Sequence, residues 1–245
     1  MWTQFCEVHD MHDLKSRNRL LEGLQRECPA LSKALLHGTE VAGTELYREG
    51  QPTQNFLFPM RGVASIVVPL GSGEVANVQT VGNEGMLGLP AWLGTHISPY
   101  TVVQQSTGDL IRVPVEEFKR AVQRSEYARS LLSRYAAYSI RFNAQTCACN
   151  TYHCVEQRVC RWLLFCADST GSREITVTQA ALAKMVGLKR RQSVVEFLVA
   201  LQRTGTIAQA RNRIELLDIA RLEHQSCECY RKMKAAYAQL VEPLL

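Results

Sequence analysis

Apolar and polar positions change their rhythm three times along this 245-residue chain. In LKSRNRLLEGLQRECPALSKALL, residues 14–36, the spacing of Leu20, Leu21 and Leu24 predicts one or two short helices. From Val41 to about Val113 the pattern shortens. TELYREG, FLFPMRG, ASIVVPL, VANVQTV and DLIRVPV are brief runs divided by Gly, Pro and Asn, as in a β-sandwich or barrel. Gly73–Glu74 reads as a hairpin turn within them. VEEFKRAVQR then predicts a short helix with acidic residues in its first turn.

Residues 125–153 carry no Gly or Pro and predict one long helix with Ser125 as N-cap. Leu132, Tyr135, Ser139, Phe142, Thr146, Cys149 and His153 recur on one side of it at steps of three and four, with Leu132, Tyr135, Phe142 and Cys149 as the candidate seam residues. Either this side lies on the chain's own β region or it forms a two-stranded seam with a second copy. A helix this long has more surface than one small barrel covers, which favours the seam. VEQRVCRWLLFCADS follows as an amphipathic helix, with Val159, Trp162, Leu163 and Cys166 on one face. GSREITVTQAALAKMVG predicts a strand and a helix capped by Thr178 and ended at Gly187. A further helix opens near Arg191, with Val194, Leu198 and Leu201 on its apolar face. Two short helices so closely joined make a helix-turn-helix. TGTIAQARNRIELLD reads as two strands around ARN, a β wing.

Charge sharpens this picture. The formal net charge is +5, and from Cys154 onward 14 Lys and Arg face 9 Asp and Glu, while the rest holds 14 of each. All the excess positive charge therefore lies in the C-terminal part, which implies an acidic partner there. Lys189, Arg190 and Arg191 stand at a helix start, where the macrodipole disfavours cations unless an anion lies in front. No apolar run approaches the ~20 residues of a membrane span. The polar, acidic start is unlike a secretory signal. A cytoplasmic protein is expected, with its nine cysteines mostly as thiols. No phosphate loop, metalloprotease motif or nucleophile elbow marks it as an enzyme.

The segments ITVTQAALAKMVG, RRQSVVEFLVALQRTGTI and RNRIELLD, with the glycine-punctuated β region and long helix before them, resemble the CRP/FNR superfamily of bacterial transcription regulators. The resemblance spans nearly the whole chain. It implies an α+β protein: a β-roll sensor (a jelly-roll double-stranded β-helix like cyclic-nucleotide-binding domains) with flanking helices over residues 14–124, a dimerisation helix over 125–153, and a winged helix-turn-helix domain with a C-terminal helix over 154–245. It implies a homodimer that binds palindromic double-stranded DNA and contacts RNA polymerase. The chain departs from the family in one respect: between Gly187 and Leu201–Gln202 it holds one residue more than the usual spacing.

In such a motif the second helix enters the major groove by its N-terminal part. Arg191, Gln192, Ser193 and Glu196 are then the expected base readers, since Arg suits guanine, Gln adenine and Glu cytosine. Thr178, Gln179, Lys189, Arg190, Arg211 and Arg213 are the expected phosphate contacts.

Family members that bind cyclic nucleotides carry a Glu and an Arg in the β-roll. Here residues 85–108 hold no Asp, Glu, Lys or Arg, and Leu89 stands where the Glu is expected. A buried phosphate without a cation costs on the order of several kcal/mol, so a cyclic nucleotide is not the expected effector. Leu89, Trp92, His96 and Tyr100 are the candidates to line an apolar pocket, or else are core. No cofactor is expected. Only Cys6 and Cys28 lie near the N-terminus, unlike the clustered cysteines of iron–sulfur relatives. Cys227 and Cys229, with His224 nearby, are the candidates for a metal or redox site, and Cys149 for a disulfide with its own copy across a seam.

Overall fold

In a computed structural model the protein is described over residues 18–188 and 191–245. Lys189, Arg190, Cys6 and the inserted-residue question in the turn after Gly187 lie outside, or depend on, residues beyond those described.

Helix α1 spans Arg19–Glu27 and a 3₁₀ turn Pro29–Ala34 follows. Asn18 caps α1 by accepting from the Leu21 amide, and its side-chain amide donates to the carbonyls of Pro59 and Gly85. Seven strands come next: β1 (Leu36–Glu40), β2 (Glu45–Tyr47), β3 (Asn55–Pro59), β4 (Ala64–Pro69), β5 (Val75–Val81), β6 (Thr101–Gln104) and β7 (Gly108–Pro114). A one-turn helix α2 (Leu89–Trp92) interrupts them. They form two antiparallel sheets, ordered β1-β7-β3 and β2-β6-β4-β5. The turn at Gly73 joins β4 to β5 with Gly73 at φ +81°, the left-handed region that glycine enters without strain.

Alternation along the strands assigns each face. Leu57, Ala64, Ile66, Val102 and Leu110 point between the two sheets with Tyr47 and Leu87. Phe56 and Phe58 point the other way, against Phe118 of helix α3 (Val115–Val122), with ring centroids 4.4 and 5.9 Å from it. Val63, just before β4, and Val67 within it turn toward the C-terminal elements and join their core.

Helix α4 runs from Glu126 to Tyr152, and Ser125 caps it by accepting from the Ala128 amide. Helix α5 (Val155–Thr170) ends at Gly171, φ +65°. Strand β8 (Glu174–Thr176), helix α6 (Gln179–Met185), helix α7 (Gln192–Arg203) and strands β9 (Ile207–Ala210) and β10 (Arg213–Leu216) complete a winged helix-turn-helix, with the sheet ordered β8-β10-β9. Two helices close the chain, α8 (Ile219–Gln225) and α9 (Cys229–Leu240). Val159, Trp162, Leu163 and Cys166 of α5 pack with Leu182, Met185, Val194, Leu198 and Leu201 in one core. No helix among the described residues is long and apolar enough to cross a membrane.

The structure corrects the seam. Leu132, Tyr135, Phe142 and Cys149 are all buried within the chain itself. The first three pack with α1 and α9, whose Leu24, Met233 and Tyr237 belong to the same cluster. The Tyr135 hydroxyl accepts from the Met86 amide at 3.0 Å and donates to the Met86 carbonyl at 3.1 Å. Phe142 meets Phe165 edge-on at 5.4 Å. The apolar stripe of α4 is covered from inside because α9, far away in sequence, folds back along it. The opposite face of α4 is the exposed one. Ser133, Ala137, Ile140, Ala144, Cys147 and Thr151 lie along it at alternating steps of four and three, and Ile140 is 70% exposed.

Candidate nucleic-acid interface

Local chemistry builds the interface from three pieces. Thr178 caps α6 by accepting from the Ala181 amide at 3.0 Å, which sets the entry of the first motif helix. At its other end α6 closes through Gly187, φ +72°, with the Gly187 amide bonded to the Lys184 carbonyl and the Leu188 amide to the Ala183 carbonyl. This paired arrangement requires a left-handed residue and turns the chain sharply. Arg191 then stands as the N-cap of α7 and gives its first turn no side-chain hydrogen bond. Uncapped amides at a helix start favour an anion.

The wing supplies the third piece. Between β9 and β10 the chain turns at Arg211–Asn212, and Asn212 adopts φ +58°, which Asn tolerates better than most residues. Thr178, Gln179, Arg191, Arg211 and Arg213 thereby line one crevice of about 280 Å³ between the start of α6, the start of α7 and the wing. Gln192, Ser193 and Glu196 are exposed along the first turns of α7 beside it. The Gln192 side-chain amide donates to the Glu196 carboxylate at 2.9 Å, so these two side chains are oriented together. Arg213 is tied to Glu174 of β8 at 3.1 Å, which fixes the wing to the sheet. Val194, Leu198 and Leu201 hold the opposite face of α7 in the core.

The four candidates for an effector pocket do not share one. Leu89 and Trp92 pack toward α3, Trp92 meeting Phe118 edge-on at 6.1 Å. Tyr100 packs on the cluster between the two sheets, and His96 is exposed. The short helix α2 directs its apolar residues to the outer face of the β1-β7-β3 sheet, while the loop after it crosses the surface and bridges at Pro52–Ile97. A larger cavity, about 380 Å³, lies instead where β5, α4, α5 and α9 meet. Asn77, Asn83, Thr146, Arg161 and Trp162 line it, and each holds a buried polar atom without a partner among the described residues. Such atoms are satisfied by bound water or a polar ligand. Neither composition nor spacing marked this cavity, since its walls come from elements far apart in the sequence.

The cysteines also assemble differently from expectation. Cys149 faces Cys227, with sulfurs 3.5 Å apart, and Cys229 lies with them in a buried cluster. The imidazole beside them belongs to His153, not to the exposed His224. The hydrogen bond with Cys149 pushes the Cys227 thiol down to about 5 against its burial, helped by the Cys229 amide and Arg161. The same bond pushes the Cys149 thiol up.

A β-roll, a long helix and a winged helix-turn-helix with a basic crevice define a DNA-binding transcription regulator. Comparison with known proteins agrees. The cyclic nucleotide-binding domain family matches residues 41–125, and the Crp-like helix-turn-helix domain family matches residues 157–225. The chain belongs to the CRP/FNR superfamily. No curated protein matches it. Among solved structures it is similar to a CRP-family transcriptional regulator of Thermus thermophilus, with 24% identity over 77% of this chain and 96% of that one and a TM-score of 0.64. It is also similar to FixK2 of Bradyrhizobium japonicum, with 14% identity over 79% and 98% of the two chains and a TM-score of 0.68. A CRP/FNR-family regulator of Eubacterium rectale shares 18% identity over 86% and 99%, with a TM-score of 0.62. At these identities the likeness to solved structures concerns the fold.

Proposed function

We propose that the protein is a dimeric regulator that reads a palindromic DNA site with the N-terminal turns of α7. The observation that carries this reading is the convergence of Thr178, Gln179, Arg191, Arg211 and Arg213 on one crevice beside the exposed Gln192, Ser193 and Glu196. Arg191, Gln192, Ser193 and Glu196 read bases. Thr178, Gln179, Arg211 and Arg213 hold phosphates, joined by Lys189 and Arg190. The sensor is the part up to residue 124, the helix of 125–153 links it to its copy, and the part from residue 154 binds DNA and works beside RNA polymerase.

In the dimer the copies meet along the outer face of α4, through Ala137, Ile140, Ala144 and Cys147. Their spacing suits a two-stranded seam, and a largely exposed isoleucine at its middle gains by being covered.

The effector is not a cyclic nucleotide. The space between the two sheets is filled by Tyr47, Leu57, Ile66, Leu87, Val102 and Leu110, and residues 85–108 supply no cation for a phosphate. Selection from a random duplex library at fixed salt tests the main reading. A two-fold symmetric site with half-site centres about one helical turn apart is expected. Binding equally strong to every duplex would overturn it.

A further inference from the structure

Cys149 lies in the last turn of α4 and His153 is the residue that caps its end, its backbone amide bonded to the Cys149 carbonyl at 3.1 Å. Cys227 and Cys229 flank the start of α9 and fold against them from 78 residues further on. One ligand atom from each of these four residues lies within 4.8 Å of all the others. We propose that Cys149, His153, Cys227 and Cys229 form a tetrahedral site for a thiophilic divalent cation, zinc foremost, which clamps the end of α4 to the start of α9.

The distances fit that chemistry. Zinc bonds of about 2.3 Å to sulfur and 2.0 Å to nitrogen give tetrahedral edges of roughly 3.8 Å between sulfurs and 3.6 Å between sulfur and nitrogen. The Cys149–Cys227 sulfurs are 3.5 Å apart, and Cys229 Sγ lies 3.5 Å from His153 Nδ1.

The surroundings fit as well. His153 Nε2 lies 3.2 Å from Glu228 Oε2, so a proton held there leaves Nδ1 free toward the sulfurs. The Gln145 side-chain amide donates to Cys229 Sγ at 3.0 Å. A carboxylate behind a ligand imidazole and an amide on a ligand sulfur are the outer contacts a metal site uses. Three small apolar side chains packing together would need neither.

Charge supplies an independent argument. Arg161 is only 5% exposed and has no carboxylate partner among the described residues, its Nη1 meeting Met233 Sδ at 3.7 Å. A buried guanidinium without a counter-anion is costly. Three thiolates, a neutral imidazole and a dication carry one net negative charge, and Arg161 packs against α9, the helix that Cys229 opens. The segment closed between Cys149 and Cys227 contains α5, both motif helices and the wing. The ion therefore fastens the whole DNA-binding part at its base to the long helix.

The test uses the full chain, expressed with zinc and purified under reducing conditions. Elemental analysis should find about one zinc per chain. Replacement by cobalt(II) should give thiolate charge-transfer bands and the intense d–d bands of a tetrahedral ion. Cys149→Ser and Cys227→Ser should lose the metal, while Cys147→Ser and Cys154→Ser, at exposed thiols outside the cluster, should keep it. Glu228→Gln should weaken zinc binding roughly 10–100-fold. Chelation should lower the melting temperature, and zinc should restore it. A chain that retains no zinc under reduction and gives no tetrahedral cobalt spectrum overturns the proposal, whether its thiols stay free or Cys149 and Cys227 are recovered as a disulfide. The cobalt spectrum of the unsubstituted chain decides the matter even where a serine variant fails to fold.

Discussion

The side-chain amide of Asn77 donates to the backbone carbonyl of Met185, 3.0 Å away, and so ties strand β5 of the roll to the first helix of the DNA-binding motif. The Ser65 hydroxyl meets the Met185 sulfur beside it at 3.1 Å, and Val63 and Val67 complete the junction. Both hydrogen-bonding groups are buried, so truncating one leaves the other unpaired. Asn77→Ala should destabilise the chain by roughly 1–3 kcal/mol. It should also speed hydrogen exchange selectively in α6. Urea denaturation and residue-resolved exchange check this. An unchanged midpoint with unchanged exchange in 179–187 would mean that the junction is held by apolar contact alone.

Ile140 and Phe142 are two residues apart on α4 and should respond in opposite ways to the same substitution. Ile140→Asp places a charge on the exposed face and should convert a dimer to a folded monomer in sedimentation, with unchanged circular dichroism. Phe142→Asp buries an unpaired charge beside Phe165 and Tyr138 and should unfold the chain, at a cost of several kcal/mol. Mild oxidation should join two chains through Cys147, and Cys147→Ser should abolish the product. A folded dimer in Ile140→Asp of undiminished strength removes the outer-face seam.

Glu84 gives the stability a pH dependence. It is 4% exposed, and the Gly82 amide lies 3.1 Å from both carboxylate oxygens. Burial pushes its carboxyl above the ordinary carboxylate value, while the Gly82 amide and the Arg19 guanidinium pull the other way and do not win. Tyr135, Tyr138 and Tyr237 surround it and stay protonated, because burial pushes all three up. A raised folded-state value means that the native chain holds its proton longer than the unfolded one. The stabilisation is therefore complete below the ordinary carboxylate range and is lost as pH rises through the raised value. Glu84→Gln keeps the shape without the charge. It should be more stable than the parent at neutral pH, and the difference should vanish in acid. Urea titrations across that range, if they gave parallel curves for the two chains, would exclude Glu84 as the source.

What the sequence made legible was local. Ser125 and Thr178 cap the helices expected of them, because a cap depends only on the next three residues. Arg191 as the start of α7 and the turn at Arg211–Asn212 were legible for the same reason. Strand β1 escaped notice because LHGTE is mostly exposed and carries little apolar alternation. The inner stripe of α4 suggested a partner chain, yet its cover, α9, comes from the chain's own far end. The outer face repeats at the same spacing with alanine, serine and cysteine, and hydrophobicity alone passes over it. His153 could not be joined to Cys227 from spacing, since only the fold of everything between them brings the two together.

The arginines around the crevice should divide by role. Arg191 stands at the start of α7 and Arg211 at the tip of the wing, and both are exposed. Arg211→Ala should weaken binding to the selected site and to unrelated duplexes alike, and should lower the slope of log affinity against log salt by about one unit. Arg191→Ala should cost roughly 1–3 kcal/mol on the selected site and relax preference at one base pair in each half-site. Glu196→Ala should act differently again. It frees Gln192 from its 2.9 Å hydrogen bond, so the base pair that Gln192 reads should lose definition together with the one facing Glu196. Base-by-base selection at fixed salt, with salt titrations for each variant, separates the three. If Arg191→Ala and Glu196→Ala lower affinity without altering any base preference, the start of α7 is a phosphate clamp and sequence is read by other residues.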